Sequence, residues 1–284
     1  TPSGTVETLN VPAASAGPSI KEMILGSEGT LGIITEATVQ VHAKPEAKSY
    51  EGFLFRDFAS GLEAVHSFIA QGWPASCFRL QDDDETRLAF HLKSEKKGLT
   101  AWIQKIVKHV LLARGYSRPA MLIVGIEGAG PAVRQRGSRV RRILASAGGF
   151  RLGDSVGKAW AEDKFNIPYL RDLVMDYGCA ADVAETATTW SRVSSLHASV
   201  RARVFAKARE LGLRMYVGCH VSHTYETGAC LYFTFGFKQR QGLELETYYA
   251  IKNEFTEAIC AAGGTVSHHH AVGTEHLPWM IREA

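Results

Sequence analysis

Apolar positions along the chain repeat at two periods, and the alternation between them sketches a fold. Residues 33–41, Ile-Ile-Thr-Glu-Ala-Thr-Val-Gln-Val, alternate and predict a strand that closes at Lys44-Pro45, with a boundary there. A second strand is predicted over 50–55. It leads to a helix capped by Asp57, in which Leu62, Val65, Phe68 and Ile69 recur at helical spacing before Gly72. The same order returns in the apolar run 121–126 and the arginine-rich helix after it, which stops at Gly148-Gly149. Two β-then-α units predict an α+β sheet layered with helices.

In the second half, Trp190, Val193, Leu196, Val200 and Val204 form one stripe of a long helix over 190–213, ending near Gly212. Two alternating strands follow. Over 214–222, Met215, Val217, Cys219 and Val221 alternate with Tyr216, Gly218, His220 and Ser222; over 229–237, Leu231, Phe233, Phe235 and Phe237 alternate with Tyr232, Thr234 and Gly236. One face of this pair packs. The other presents His220 and Tyr232 together if the strands pair. A last helix over 243–262, closed by Gly263-Gly264, runs into Ser267-His-His-His270.

With 45% hydrophobic and 21% charged residues and a net charge of +3, the 284 residues are enough to bury a substantial core. No apolar run approaches the roughly 18 residues of a membrane-spanning helix. The start, Thr1-Pro-Ser-Gly, has no basic segment followed by an apolar one and no initiating Met, so the beginning of the protein is expected to be missing. The run Arg134-Gln-Arg-Gly-Ser-Arg-Val-Arg-Arg142 lacks interleaved aromatics. It therefore reads as the wet face of a helix, with Val133, Val140, Ile143 and Leu144 inward, and nucleic-acid binding is not expected. The five cysteines (Cys77, Cys179, Cys219, Cys230, Cys260) form no CxxC pair and predict reduced thiols acting as small core residues.

Candidate chemistry gathers at four places. The glycines of Gly26-Ser-Glu-Gly-Thr-Leu-Gly32 let backbone N–H groups approach a phosphate or a ring closely. The string matches neither GxGxxG nor GxxxxGK[ST], so a tight loop and a nucleotide site both stay open. Arg171, beside Asp172, offers either an ion pair or forked donors for a phosphate, and Arg79, ahead of Asp82-Asp-Asp-Glu85, is ambiguous in the same way. His268, His269 and His270 titrate near neutrality and suit proton transfer. Three adjacent histidines on a regular element cannot all face one ion, and no Asp or Cys stands at ligand spacing, so no metal is expected.

Leu25-Gly-Ser-Glu-Gly-Thr-Leu-Gly-Ile-Ile-Thr-Glu-Ala-Thr38 resembles the last cofactor-binding segment of the FAD-binding domain shared by vanillyl-alcohol oxidases, D-lactate dehydrogenases and alkyldihydroxyacetonephosphate synthases. Phe78-Arg-Leu80, Tyr169-Leu-Arg-Asp172, Thr224-Tyr225, Gly228-Ala-Cys-Leu-Tyr-Phe233 and Ser267-His-His-His-Ala-Val-Gly273 are similar to motifs of the synthase branch. The resemblance implies FAD as cofactor, contacted by Glu28, Gly29, Thr30, Leu31, Gly32, Ile33 and Ile34. It implies Tyr232, His268, His269, His270 and Arg79 as catalytic residues and Arg171 as the substrate-phosphate ligand. As a base, Tyr232 would need a depressed pKa.

The fold so implied is the end of a PCMH-type FAD-binding domain (1–45) followed by an α+β cap domain (46–284), incomplete at its C-terminus, with an antiparallel sheet covered by helices. The implied reaction exchanges the acyl group of 1-acyl-dihydroxyacetone phosphate for a long-chain fatty alcohol through a flavin N5 adduct, making the ether bond of ether lipids with no net redox. The resemblance further implies a homodimer with peripheral membrane association, in peroxisomes or glycosomes. One departure stands out: where that family has Gly-Val-Gly and basic residues after the histidines, this chain has Ala271-Val-Gly273 and then Thr274-Glu-His-Leu-Pro278. An FAD-dependent D-2-hydroxy-acid dehydrogenase and a non-catalytic fragment remain as alternatives.

Overall fold

In the computed structural model, residues 1–72, 75–92, 109–166 and 169–283 are described. Among the described residues seven strands form one sheet: β1 (Ala47–Phe55), β2 (Cys77–Gln81), β3 (Ala120–Gly128), β4 (Phe150–Gly153), β5 (Cys179–Thr189), β6 (Met215–Thr224) and β7 (Gly228–Lys238). Their order is β4-β1-β3-β2-β6-β7-β5 and every pairing is antiparallel. The expected α+β class, an antiparallel sheet covered by helices, is the observed one.

One face is dry. Helices α1 (Ile20–Ile24) and α3 (Asp83–His91) lie elsewhere, and α2 (Phe58–Ala70), α4 (Gly130–Ser146), α7 (Trp190–Glu210) and α8 (Glu244–Ala261) cover it. Asp57 caps α2 by accepting from the Ser60 N–H, as its position in the sequence predicts. The α7 stripe of Val193, Leu196, Val200 and Val204 is buried in the same cluster as Phe233 and Phe235, and Phe255 of α8 stacks on Phe235 with ring centroids 4.7 Å apart. Each such side chain contributes about 1.5–3 kcal/mol on burial, so this layer dominates the stability of the sheet. The arginine-rich α4 turns Val133, Val140 and Leu144 inward.

The opposite face is divided. Over β1 and β3, α5 (Asp154–Asp163) closes a small cluster around Leu54, Met121 and Ile123. Over β6, β7 and β5 the face stays open and polar. Because side chains alternate, the strands that drive Phe233 and Val217 into the core must aim Tyr232 and His220 at this open side.

Two expectations change. Residues 33–41 form no strand, and Ile33, Val39 and Val41 are 83%, 72% and 81% exposed. Alternation makes a strand only where a neighbour accepts its ladder bonds, and none does so among the described residues. Cys219 and Cys230 are buried, but Cys77, Cys179 and Cys260 are only part-buried; all five are free thiols.

Candidate active site

The register sets three side chains in one row across the open face. His220 of β6 lies opposite Tyr232 of β7, and Tyr232 lies opposite Glu185 of β5. The His220 and Tyr232 rings stack, with centroids 4.9 Å apart, and His270 meets the far edge of Tyr232 at 5.5 Å.

At the β2 end, Arg79 decides the state of His220. Its Nη1 lies 2.9 Å from His220 Nε2, and a guanidinium only donates, so Nε2 is an acceptor and Nδ1 carries the proton. That proton goes to Glu85 Oε2, 2.9 Å from Nδ1, while Glu85 Oε1 takes Arg79 Nη2 at 2.5 Å. Burial and the Arg79 charge hold His220 below its ordinary pKa, in the neutral form. Burial acts to raise Glu85, but its contacts with His220 and the Arg79 guanidinium outweigh it and bring it to about 2.

At the β5 end, Glu185 organises the histidine loop. Its Oε1 accepts the backbone N–H groups of His268, His269 and His270 at 2.7, 2.6 and 2.9 Å and the Ser267 hydroxyl at 3.1 Å. Its Oε2 lies 2.7 Å from His269 Nδ1. Burial pushes Glu185 up, yet the backbone donors outweigh it and set its pKa at about 2. The three histidines then diverge: His268 reaches the Tyr225 hydroxyl through Nε2 at 2.6 Å, His269 lines a cavity shared with Tyr232, and His270 lines a second, smaller one. Nothing in the local sequence singles out Glu185, which lies in a run of Ala, Thr and acidic residues.

Tyr232 departs from expectation in its acidity. Burial, followed by the Glu185 charge, raises its pKa, with Arg79 opposing. A role as base requires a depressed pKa, for which neighbouring His or Arg charges would be the cause; desolvation and the carboxylate opposite it outweigh the Arg79 charge. Tyr232 is therefore held as a phenol, a donor.

The shared cavity has a volume of about 1310 Å³. Arg79, His220, Tyr232 and His269 line one wall, Leu88, Leu92, Trp160, Phe165 and Val174 supply apolar surface, and Arg171 of α6 (Tyr169–Asp176) faces the same space. Arg171 is more than half exposed and only 3.5 Å from an equally exposed Asp172, a geometry of little stabilising value.

The glycine-rich segment borders the smaller cavity, which Glu28 and His270 line. Gly26 and Gly29 have φ of 81° and 82°, in the left-handed region that favours glycine, and nothing lies within 4 Å of where a Cβ would stand on either. Glu28, itself at φ 52°, accepts the N–H groups of Val272 and Gly273 at 2.5 and 2.8 Å. Thr30, Leu31, Gly32, Ile33 and Ile34 follow in the open, none of them buried. An open glycine-rich turn tied to the end of the histidine loop fits a bound cofactor that reaches both.

Ligand atoms of His223, Cys230, His268 and His269 fall within 4.8 Å of one another, as do those of Glu185, His269 and His270. The histidine loop is not a regular element, so adjacency in sequence does not keep these side chains apart. His268 and His269 are already engaged by Tyr225 and Glu185, and we assign no ion to these groups.

An antiparallel sheet roofed on one face by helices, with a tyrosine and histidine site on the other, is the arrangement of a flavoenzyme cap. The family described as FAD linked oxidases, C-terminal domain, matches residues 44–284, and the chain belongs to that family, whose cofactor is FAD. Alkyldihydroxyacetonephosphate synthase of Dictyostelium discoideum is 37% identical over 287 residues, covering 100% of this chain and 47% of the relative. The protein of the same name from Trypanosoma brucei brucei is 33% identical, covering 99% and 46%. A solved alkyldihydroxyacetonephosphate synthase structure superposes with a TM-score of 0.76 at 33% identity, covering 100% of this chain and 49% of that one. The chain thus spans about half the length of the relatives it matches.

Proposed function

We propose that this chain supplies the cap side of an alkyldihydroxyacetonephosphate synthase site, in which 1-acyl-dihydroxyacetone phosphate exchanges its acyl group for a long-chain fatty alcohol. The observation that carries this reading is the single cavity that holds Tyr232, His269 and Arg171 together with an apolar wall. A phosphate ester with a long chain needs both a cation and a greasy surface in one space. The relatives at 33–37% identity carry that name.

Glu28 to Ile34 would hold FAD. When bound, FAD supplies the group that keeps the three-carbon unit on the protein between departure of the carboxylate and arrival of the alcohol. Arg171 pairs its guanidinium with the phosphate. A histidine of the loop takes a proton from C1 in enolisation, the bond from C1 to the carboxylate oxygen breaks, a bond from C1 to the alcohol oxygen forms, and the proton returns to C1. Tyr232, held as a phenol, donates to the substrate oxygen or carbon that gains the proton. A histidine takes the proton of the alcohol, and the neutral His220, clamped by Arg79 and Glu85, holds the Tyr232 ring in place. The ether-lipid pathway, a peroxisomal or glycosomal location, a homodimer and peripheral membrane contact belong to the same reading.

The test is conversion of acyl-dihydroxyacetone phosphate and hexadecanol to the alkyl ether by the purified FAD-loaded protein. Expected is ether formation with release of one fatty acid per ether. Flavin reduction by D-lactate or D-2-hydroxyglutarate, without ether formation, would overturn the reading.

A further inference from the structure

We propose that Glu185 is the positioning residue that fixes His269 in the tautomer whose Nε2 is free to accept a proton in the large cavity. This inference rests on the functional reading above for its kinetic consequence, but not for its structural one.

The contacts around the loop set one arrangement. Glu185 Oε2 stands 2.7 Å from His269 Nδ1 as an ion-pair contact, and a carboxylate oxygen that close favours a proton over a lone pair on that nitrogen. His269 Nδ1 is also 2.9 Å from His268 Nδ1, which must then be the acceptor. The His268 proton therefore sits on Nε2 and goes to the Tyr225 hydroxyl at 2.6 Å. Each of the two rings then has one protonated nitrogen, and each of these N–H groups has an acceptor. His269 keeps the lone pair on Nε2, and its ring lines the cavity that holds Tyr232. Glu185 is itself fixed in turn: its other oxygen is occupied by three backbone N–H groups and the Ser267 hydroxyl. The groups facing His269 are Glu185 from β5, His223 from β6, Tyr232 and Cys230 from β7, and its neighbours His268 and His270. Among these Glu185 is the one anion.

The same geometry makes Glu185→Gln an unusually clean probe. The three backbone donors require an acceptor at the Oε1 position, so the amide must place its oxygen there and its NH2 where Oε2 stood. That NH2 donates to His269 Nδ1 and forces the proton to Nε2. The loop keeps its shape and the ring inverts its tautomer. An orienting group replaced in this way in an acid/base pair lowers kcat by roughly a hundredfold to ten-thousandfold.

The experiment is nitrogen NMR of the FAD-loaded protein carrying isotope-labelled histidine rings, with the His269 signals assigned by their loss in His269→Gln. Expected is protonated Nδ1 in the wild type and protonated Nε2 in Glu185→Gln, with flavin content kept, kcat down at least a hundredfold and KM within about twofold. A wild type with its proton on Nε2, or a variant whose tautomer does not change, overturns the proposal. So does a tautomer that inverts while kcat stays normal. If Glu185→Gln fails to fold, the wild-type tautomer alone decides. If the wild type forms no ether, the functional reading fails, while the tautomer measurement still settles the role of Glu185.

Discussion

His220 and Tyr232 stand directly opposite one another on β6 and β7, their rings stacked at 4.9 Å and 30° from coplanar. The stack depends on the ring of Tyr232, not on its hydroxyl. Tyr232→Phe should therefore keep the fold and its melting temperature while ether formation, and exchange of the substrate C1 hydrogen with solvent, fall by roughly a hundredfold or more. Steady-state kinetics alongside thermal melts check this. Near-normal turnover in a folded variant would transfer the donor role to the histidine loop.

Arg171 gives a different kind of result. Its contact to Asp172 is long and exposed, so little stability rests on it. Arg171→Lys keeps the charge and loses the forked donors. The KM for acyl-dihydroxyacetone phosphate should rise about tenfold or more with an unchanged melting curve. A lowered melting temperature with unchanged KM would make the residue structural.

These two residues also show how far the sequence could be read. Alternation in β6 and β7 places His220 and Tyr232 on one face because Val217, Phe233 and their neighbours can only be packed one way. The same rule fails for residues 33–41, whose pattern is sound but whose ladder partner is not among the described residues. Glu185 escapes for the opposite reason. Its strand carries Ala and Thr in place of bulky apolar residues, and its role comes from backbone donors more than 80 positions away. Motif resemblance finds the histidines; only the fold shows that they diverge into different spaces.

Two buried carboxylates make the protein acid-sensitive in a defined window. Glu85 and Glu185 are both lowered to about 2, from an ordinary value of about 4.3. A depressed folded-state pKa gives stability that is present above the unfolded value and lost as pH falls through the folded one. Stability should therefore decline progressively from about pH 4 to pH 2. Glu185→Gln should flatten that decline in chemical-denaturation curves taken across the range. An unchanged pH slope would show that Glu185 carries no such linkage.

Ala271 occupies a position built for glycine. It has φ of 68°, in the left-handed region that favours glycine. An L side chain there costs about 1–2 kcal/mol, partly offset in glycine by greater freedom of the unfolded chain. Ala271→Gly should raise stability by roughly 0.5–1 kcal/mol in denaturant melts. A destabilised variant would mean that the turn between His270 and Val272 is held differently.

If the site exchanges one oxygen substituent at C1 for another, the oxygen of the ether comes from the alcohol. The FAD-loaded protein is supplied with acyl-dihydroxyacetone phosphate and a fatty alcohol isotopically labelled in its hydroxyl oxygen, and the product is read by mass spectrometry. The ether should carry the label, the released fatty acid should not, and flavin should not be consumed as an oxidant. Unlabelled ether, or turnover that requires an electron acceptor, would contradict that exchange.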